Sequence, residues 1–285
     1  MARAATGGAR VLNIAGSGPW FGGAQVSWLH DAAVFDHPEA YRPAFVRWYR
    51  LLFRRRAGRG DLLITPSHHA QERLAHHLGV PPSRLHVLPH GADHLDDVDA
   101  DGAALARLEL EPGCYWLCVA SRNPNKNLTR LIRAHARAGG GLPLVLVGAP
   151  DPSVFSAGAA AVAGAGVRLL PATRDAELKS LMQGARALLL PSIVEGFGLP
   201  ALEAMREGCP VLAARSGALP EVCGDAARYV DPRSDDSIAD GLRQLAEDDA
   251  LVSRLRTDGP RQAAPFTWAR AAATLLQLLR EEGPG

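Results

Sequence analysis

The sequence of 285 residues contains few cysteines, few lysines and no long apolar run. No stretch approaches the roughly 20 apolar residues that a membrane-spanning helix needs, and the first ten residues lack the apolar core of a secretory signal peptide. The formal net charge of +1 provides no overall field that would attract nucleic acid. We therefore expect a cytoplasmic protein with no nucleic-acid partner.

The scarce cysteines and the paired histidines do not form a recognisable metal site. The DxD-like triplets within 97–101 fall in an acidic linker, and His68-His69 and His76-His77 lack the HxxxH spacing of zinc ligands. The cysteines show no CxxC pairing, so we expect buried free thiols at Cys114, Cys118, Cys209 and Cys223. We accordingly predict no bound metal.

Short apolar runs alternate with amphipathic segments along most of the chain. This alternation predicts parallel, doubly wound sheets whose two faces are covered by helices. The predicted strands are 11–14, 26–29, 61–65, 85–88, 115–120, 142–147, 167–170, 187–190, 211–213 and 228–230. The predicted helices are 44–56, 68–78 with Ser67 as its N-cap, 128–138, 175–182, 199–206, 235–247, 249–257 and 267–282.

The order and spacing of these strands and helices along the chain predict two α/β domains. The first covers residues 1–98 and an acidic linker follows at 99–112. The second covers 113–264, and we expect the C-terminal helix at 265–285 to pack back towards the first domain. With about four predicted strands, the first domain is thin for an independent sheet of this class.

The densest chemical signal is the stretch LLLPSIVEGFGLPALEAM, in which an apolar strand runs through a glycine-rich loop into a helix. Gly196 and Gly198 let backbone amides approach a ligand closely, and the helix start suits a diphosphate. Glu195 precedes the helix and Glu203 lies within it. Since carboxylates accept hydrogen bonds from sugar hydroxyls, these two side chains are candidates for holding the two ends of one bound molecule.

A second candidate element is SRNPNKN at 121–127, which ends the first strand of the second domain. All but two of the 31 basic residues are arginines, so Lys126 is conspicuous. Arg122 and Lys126 could place positive charge over a diphosphate, at the same sheet edge as Glu195. The pattern GxGxxA at 196–201 could also indicate a dinucleotide fold, but that fingerprint belongs to the first turn of a Rossmann unit.

The motif E-x7-E within EGFGLPALEAM resembles the donor domain of retaining, family 4 glycosyltransferases of the GT-B fold. ASRNPNKNL, RDAELKSLMQGARALLLPS and ALPEVCGDAARYVDP extend the resemblance in the same order over about residues 112–280. It implies a GT-B fold of two Rossmann-like parallel-sheet domains. It also implies transfer of a hexosyl group from a nucleotide-diphosphate sugar to an acceptor hydroxyl, with retention of configuration, no metal and no cofactor.

The resemblance also implies roles for particular residues. Glu195 would contact the donor sugar, Glu203 would bind the ribose, and Lys126 would neutralise the leaving diphosphate. Arg122 would assist Lys126, although many family members place this arginine one position earlier, where the chain has Ser121. The other implied donor-binding positions are Ser121, Leu170 near the base, Gly196, Phe197, Gly198 and Leu199.

The front half resembles the O-antigen mannosyltransferases of the same family, through HDAAVFDHPEAY, FVRWYRLLFRRR and ITPSHHAQERLAHHLGVPPSRLHVLPHGAD. This resemblance implies that His30 lines the reaction centre and that the N-terminal domain begins partway through and is incomplete. It favours GDP-mannose as the donor, with UDP- and TDP-sugars as alternatives. The implied acceptor is a glycan or a lipid-linked glycan, in polysaccharide or glycolipid synthesis.

Two alternatives stay open at this point. The arginine-rich segment 47–56 has an apolar side and a basic side. It can either contact the inner face of a membrane or pack within the first domain with its arginines exposed. The short first domain likewise leaves two functions: an active glycosyltransferase, or a protein that binds nucleotide sugars without catalysis.

Overall fold

A computed structural model provides the structure of the protein, and the residues that it describes are 11–21, 25–119, 124–139, 141–148 and 166–281. The chain divides into two compact units. The first combines Met1–Gly91 with Trp268–Gly285, and the second is the continuous segment Ala92–Thr267. Among the described residues, no helix is both long and apolar enough to cross a membrane.

In the first unit, the described strands form one parallel sheet in the order β1-β2-β3-β4. These strands are β1 (Leu12–Asn13), β2 (Val26–Trp28), β3 (Leu62–Thr65) and β4 (Leu85–Val87). The register sets Val26 opposite Leu62 and Leu63 opposite Leu85. All residues of β3 are buried, as expected for a central parallel strand that is covered on both faces.

In the second unit, the described strands form a parallel sheet in the order β10-β9-β8-β5-β6-β7. They are β5 (Trp116–Val119), β6 (Leu144–Val147), β7 (Val167–Leu170), β8 (Ala187–Leu190), β9 (Val211–Ala214) and β10 (Arg228–Val230). The direction of winding reverses between the neighbours β5 and β8. Ligands of doubly wound sheets bind at the carboxyl ends of the strands beside such a reversal.

Helices connect these strands in both units, and together they confirm the predicted class of two parallel-sheet α/β domains. Those of the first unit are α1 (Ala33–Asp36), α2 (Pro43–Gly58), α3 (His68–Leu78) and, at the end of the chain, α11 (Trp268–Glu281). Those described in the second are α4 (Ala104–Arg107), α5 (Leu128–Arg137), α6 (Asp175–Gly184), α7 (Leu199–Arg206), α8 (Leu219–Cys223), α9 (Asp235–Glu247) and α10 (Asp249–Ala263).

Local signals fix several helix ends in the way that the sequence predicts. The Ser67 hydroxyl accepts a hydrogen bond from the Ala70 amide over 3.0 Å at the start of α3. Gly79 ends α3 in the left-handed conformation that glycine adopts without strain. Helix α10 instead continues past its predicted end at 257, because Gly259 packs closely on α7. A Cβ added at Gly259 would lie 3.3 Å from the Met205 backbone.

Helix α11 belongs to the core of the first unit. Its leucines 275, 278 and 279 lie three and four residues apart, on one face of the helix. This face packs against a buried cluster on β2, β3 and the residue after β4, made of Val26, Trp28, Leu62, Ile64 and Leu88. The sheet of the first unit is therefore completed by a segment from the far end of the chain.

The core of the second unit lies on both faces of its sheet, because successive side chains of a strand point to opposite sides. In β8, Leu188 and Leu190 join one buried cluster and Leu189 joins the other. Cys118, Cys209 and Cys223 are buried within these clusters, and burial raises the pKa of each thiol to about 12. The prediction for Cys114 is wrong: this residue precedes β5 in a turn and is exposed.

The residues directly after Gly91 pack with the second unit, so the division between units falls before the predicted limit at 98. Lys179 on α6 donates a hydrogen bond to the Leu95 carbonyl over 2.8 Å. Arg206 on α7 forms a two-pronged ion pair with Asp96, with both contacts at 2.6 Å.

Candidate active site

Lys126 and Glu195 meet at the carboxyl edge of the second sheet, where the order of the strands reverses. Lys126 follows β5 and Glu195 follows β8, and these strands are neighbours. Lys126 Nζ donates a hydrogen bond to Glu195 Oε1 over 2.7 Å, and the Ser192 hydroxyl donates to the same oxygen, also over 2.7 Å. Glu195 Oε2 accepts no hydrogen bond from the described residues, which leaves it available to a ligand hydroxyl.

The turn that carries Lys126 is attached to the loop that carries Glu195. The Ile193 amide donates to the Asn125 carbonyl over 2.8 Å. Asn127 adopts a left-handed conformation with φ of 59°, and its side-chain amide donates to the Pro191 carbonyl at 3.0 Å. Asparagine tolerates this conformation better than most residues, so the final Asn of NPNKN was the signal that sequence reasoning missed.

The loop after β9 supports Glu195 through a contact between backbones. The Ala218 amide donates to the Glu195 carbonyl over 3.0 Å, and the Ser216 hydroxyl donates to the Ile193 carbonyl. Gly217 has φ of 61°, and a Cβ there would lie 2.6 Å from the Glu195 carbonyl oxygen. Only glycine therefore fits this position, and the sequence pattern did not reveal that this turn has a role in placing Glu195.

Helix α7 begins directly after the glycine-rich loop, as predicted. Gly198 caps it with φ of 94°, and a Cβ there would lie 2.5 Å from Leu219 Cδ2. The Phe197 ring is buried and meets the Phe266 ring edge-on at 5.9 Å. The amides of the first helical turn have no partners within the helix, and Leu199 and Pro200 open that turn at the same sheet edge as Lys126.

Glu203 lies one turn into α7 and is 9% exposed. His94 Nε2 is 3.3 Å from Glu203 Oε1. Burial raises the pKa of the Glu203 carboxyl above its ordinary value, the charge of His94 opposes this rise, and Asp175 adds to it. Sequence reasoning found Glu203 but missed His94, because nothing in a local pattern relates a residue after β4 to a helix more than a hundred positions later.

The other predicted donor-binding residues differ in where they lie relative to Glu195. Leu170 ends β7 at the same sheet edge, but β5 and β6 separate its strand from β8. Its carbonyl accepts a hydrogen bond from the Gly148 amide over 3.1 Å. Ser121 and Arg122 lie outside the described residues. Gly196 lies in the loop between Glu195 and Phe197, where the sequence places it.

His30 lies in the first unit, after the end of β2. Its Nε2 donates to the Ile14 carbonyl over 2.6 Å, and its Nδ1 is 3.4 Å from His90 Nε2. The Trp28 ring stacks on His90 with centroids 5.1 Å apart. Burial, and secondarily the charge of His30, lowers the pKa of His90 to about 4. His90 is therefore neutral near pH 7.

The described residues contain no group of three His, Cys, Asp or Glu side chains that could hold a metal ion. Two carboxylates of the acidic segment after β4, Asp96 and Asp101, are engaged by arginines. Asp101 accepts hydrogen bonds from the Arg107 guanidinium at 2.8 Å and from the Ala103 amide at 3.1 Å. Arg107 and the backbone thus hold this carboxylate in place, and Asp96 pairs with Arg206.

Comparison with known proteins gives two family matches. The family model of glycosyl transferases group 1 matches residues 109–262, and that of glycosyltransferase family 4 matches residues 7–94. The chain is 28% identical to O-antigen chain mannosyltransferase B of Escherichia coli over 85% of its length. It is 32% identical to MMP alpha-(1->4)-mannosyltransferase of Mycolicibacterium hassiacum over 81% of its length. The chain spans 66% and 57% of these two relatives.

Solved structures agree in fold. Sucrose-phosphate synthase from Thermosynechococcus elongatus gives a TM-score of 0.74 at 23% identity, covering 92% of this chain and 68% of that one. HepE from Anabaena, solved in complex with UDP and glucose, gives 0.76 at 20% identity, covering 90% and 72%. These neighbours confirm the predicted GT-B-like pair of parallel-sheet domains. Because the group 1 model spans more than half of the sequence, the chain belongs to the glycosyl transferases group 1 family.

Proposed function

We propose that this protein transfers a hexosyl group from a nucleotide-diphosphate sugar to an acceptor hydroxyl, with the anomeric configuration retained. The observation that carries the proposal is the Lys126–Glu195 pair at 2.7 Å. It lies at the strand reversal where doubly wound sheets bind nucleotides, beside the start of α7. A cation, a helix N-terminus and a carboxylate with one unused oxygen are the groups that a sugar diphosphate requires.

In the proposed reaction each group has a separate task. As the bond between the anomeric carbon and the phosphate oxygen breaks, negative charge develops on the diphosphate. The Lys126 ammonium and the amides at the start of α7 stabilise this charge. The acceptor oxygen bonds to the anomeric carbon on the face that the diphosphate leaves, and its proton passes to the departing phosphate oxygen.

Glu195 positions the sugar and does not attack it. Two donors, Lys126 and Ser192, engage its Oε1 and make that oxygen a poor nucleophile, while Oε2 remains to accept a sugar hydroxyl. Glu203, one turn into α7, would accept the ribose hydroxyls. Because every nucleotide donor carries a ribose or deoxyribose, Glu203 does not select the base.

The relatives favour mannose as the transferred sugar, since both are described as mannosyltransferases. GDP-mannose is accordingly the first donor to test. The fold neighbour HepE was solved with UDP and glucose, so UDP-sugars are the second choice and TDP-sugars the third. We propose a glycan or lipid-linked glycan as the acceptor.

The exposed face of α2 suits a lipid-linked acceptor. Trp48 and Leu51 on this face are 49% and 54% exposed. Arg47 and Arg54 flank them and are also exposed. Residues 40–60 contain seven arginines and no acidic residue, although Arg56 is buried and pairs with Asp61. An apolar strip bordered by exposed cations is typical of a helix that lies on an anionic membrane surface, and we propose that α2 makes such a contact.

Release of nucleoside diphosphate tests the proposed reaction. The protein is incubated with GDP-mannose, UDP-glucose or a TDP-sugar, with and without a mannoside acceptor, and the freed diphosphate is measured. Glu195→Gln keeps the size of the side chain but removes its charge, and should lower release by at least about 100-fold. Glu247→Gln, on the exposed end of α9, is the matched control and should leave release unchanged.

Two results would contradict the proposal. An unchanged rate in Glu195→Gln would refute the assignment of the site. Calorimetric binding of GDP or UDP, without release from any donor, would instead favour the second candidate function, a nucleotide-sugar-binding protein without catalysis.

A further inference from the structure

Asn127, which lies between Lys126 and the start of α5, has an unusual backbone conformation. Its φ of 59° and ψ of 30° are left-handed, and Glu109 is the only other non-glycine residue with a positive φ in the described part of the chain. An asparagine at a helix start usually accepts a hydrogen bond from an amide of the first turn. Asn127 makes no such cap, so its side chain is available for other contacts.

The Asn127 side chain links the ends of three strands. Its amide nitrogen donates to the Pro191 carbonyl over 3.0 Å and to the Pro232 carbonyl over 2.7 Å. Pro191 directly follows β8 and Pro232 lies two residues after β10, whereas Asn127 belongs to the segment that follows β5. Because β9 lies between β8 and β10 in the sheet, this single amide ties together loops from across the carboxyl edge.

Helix α5 is fastened to the segment after β10 along its next turns as well. Arg130 donates to one carboxylate oxygen of Asp235 over 2.7 Å, and Arg133 donates to the other over 3.0 Å. Asp235 is the first residue of α9, and its side chain is only 12% exposed. These ion pairs hold the body of α5, whereas Asn127 holds the turn from which Lys126 projects.

Lys126 depends on that turn because its own side chain is long and flexible. Among the described residues, Glu195 at 2.7 Å is the only hydrogen-bond partner of its ammonium. Since Nζ lies about 6 Å from the Cα atom, a backbone rotation of about 10° moves the ammonium by about 1 Å. A displacement of this size is large enough to weaken stabilisation of a developing charge.

We infer that Asn127 is a positioning residue for the reaction. By holding the ends of β8 and β10 against the start of α5, it directs the Lys126 ammonium towards the leaving diphosphate. The inference rests on the proposed glycosyl transfer, and it adds a residue that acts through Lys126 without touching the substrate.

Two substitutions separate the Asn127 amide from its backbone. Asn127→Gly accepts the left-handed conformation but loses both hydrogen bonds. Asn127→Asp keeps the size and also tolerates this conformation, but it sets a carboxylate against two carbonyl oxygens. Both should lower kcat for nucleoside diphosphate release from GDP-mannose by about ten-fold. Glu109→Gly makes the same backbone change in the turn after α4, and this control should leave kcat unchanged.

A double-mutant cycle tests whether Asn127 acts through Lys126. Lys126→Met keeps most of the length of the side chain but removes its charge. In this background, Asn127→Gly should lower kcat by less than about two-fold, because the group that it positions is already absent. A further ten-fold loss would overturn the inference, and so would wild-type kcat values in both Asn127 variants.

NMR of the lysines separates failure of this inference from failure of the proposed reaction, because it needs no turnover. Lys126 and Lys179 are the only lysines of the sequence, so protein made with ¹³C-labelled lysine gives two ε-methylene signals, which Lys126→Met assigns. Both Asn127 variants should shift the Lys126 signal and leave the Lys179 signal in place, which also shows that they fold. An unmoved Lys126 signal, or equal shifts of both signals, would overturn the inference. A shift of Lys126 alone, with no release from any donor, would support it and contradict the proposed reaction instead.

Discussion

Gly217 gives the sharpest test of how the fold places Glu195. An alanine Cβ at this position would lie 2.6 Å from the Glu195 carbonyl oxygen and 2.7 Å from its nitrogen, whereas ordinary contacts begin at 3.4 Å. The Glu195 backbone would therefore have to move by about 0.8 Å. A movement of this size stretches the hydrogen bonds of 2.7 Å that hold the carboxylate to Lys126 and Ser192 beyond normal length.

Gly217→Ala should consequently affect both stability and activity. The left-handed backbone alone costs an alanine about 1–2 kcal/mol. A misplacement approaching 1 Å of a group that positions the substrate costs up to about 100-fold in rate, so kcat/KM for nucleoside diphosphate release should fall by one to two orders of magnitude. Urea unfolding and the release assay measure the two effects separately.

Gly208→Ala is the matched control. Gly208 has φ of 69°, close to that of Gly217, but the nearest atom to its added Cβ is the Arg256 carbonyl oxygen at 3.9 Å. Both variants should therefore lose the stability that the left-handed backbone costs an alanine, Gly217→Ala should lose more because of its clash, and only Gly217→Ala should lose activity. Equal activity in both variants would show either that the loop after β9 does not fix Glu195 or that Glu195 does not take part in turnover.

Two further predictions concern the first unit. Trp48→Ser combined with Leu51→Ser should abolish co-sedimentation with vesicles that contain phosphatidylglycerol, whereas Leu276→Ser, which changes an equally exposed leucine on α11, should not. Binding to these vesicles should weaken as the salt concentration rises. Equal binding to vesicles of pure phosphatidylcholine would refute the membrane contact. His90 has a pKa of about 4 when folded, against 6.5 in the unfolded chain, so only the unfolded state gains this proton as the pH falls from 6.5 towards 4. The free energy of unfolding should decrease across this window by at most about 3 kcal/mol, and by less where solvent reaches the partly exposed ring. His90→Gln should show a smaller decrease in urea titrations, and identical pH profiles for the two proteins would contradict the assigned cause.

The sequence predicted those parts of the fold that depend on local patterns. Apolar strands followed by helices indicate two parallel sheets, and the rule that ligands bind at the carboxyl ends of the strands places Lys126 and Glu195 at one sheet edge. The capping serine and the terminal glycine of α3 are read from single residues with specific backbone preferences. In each case the physical cause lies within a few positions of the feature.

The remaining parts depend on contacts between distant segments. His94 meets Glu203 because the chain after Gly91 packs on α7, and no periodicity indicates that path. Gly217 is required by a backbone that lies beside it only in the folded state. Helix α10 continues through Gly259 and Pro260 because α7 supports it, which outweighs the weak helix propensity of the two residues.

The return of α11 to the first unit has a consequence for the order in which the protein folds during synthesis. The leucines that close the sheet of β2 and β3 lie on a helix that begins at Trp268. The second unit is encoded as one continuous segment, Ala92–Thr267. A ribosome therefore synthesises every residue of the second unit before it makes the helix that the first unit still lacks. The second unit thus leaves the ribosome ahead of α11, and β2 and β3 of the first unit wait with an apolar sheet face uncovered until α11 follows.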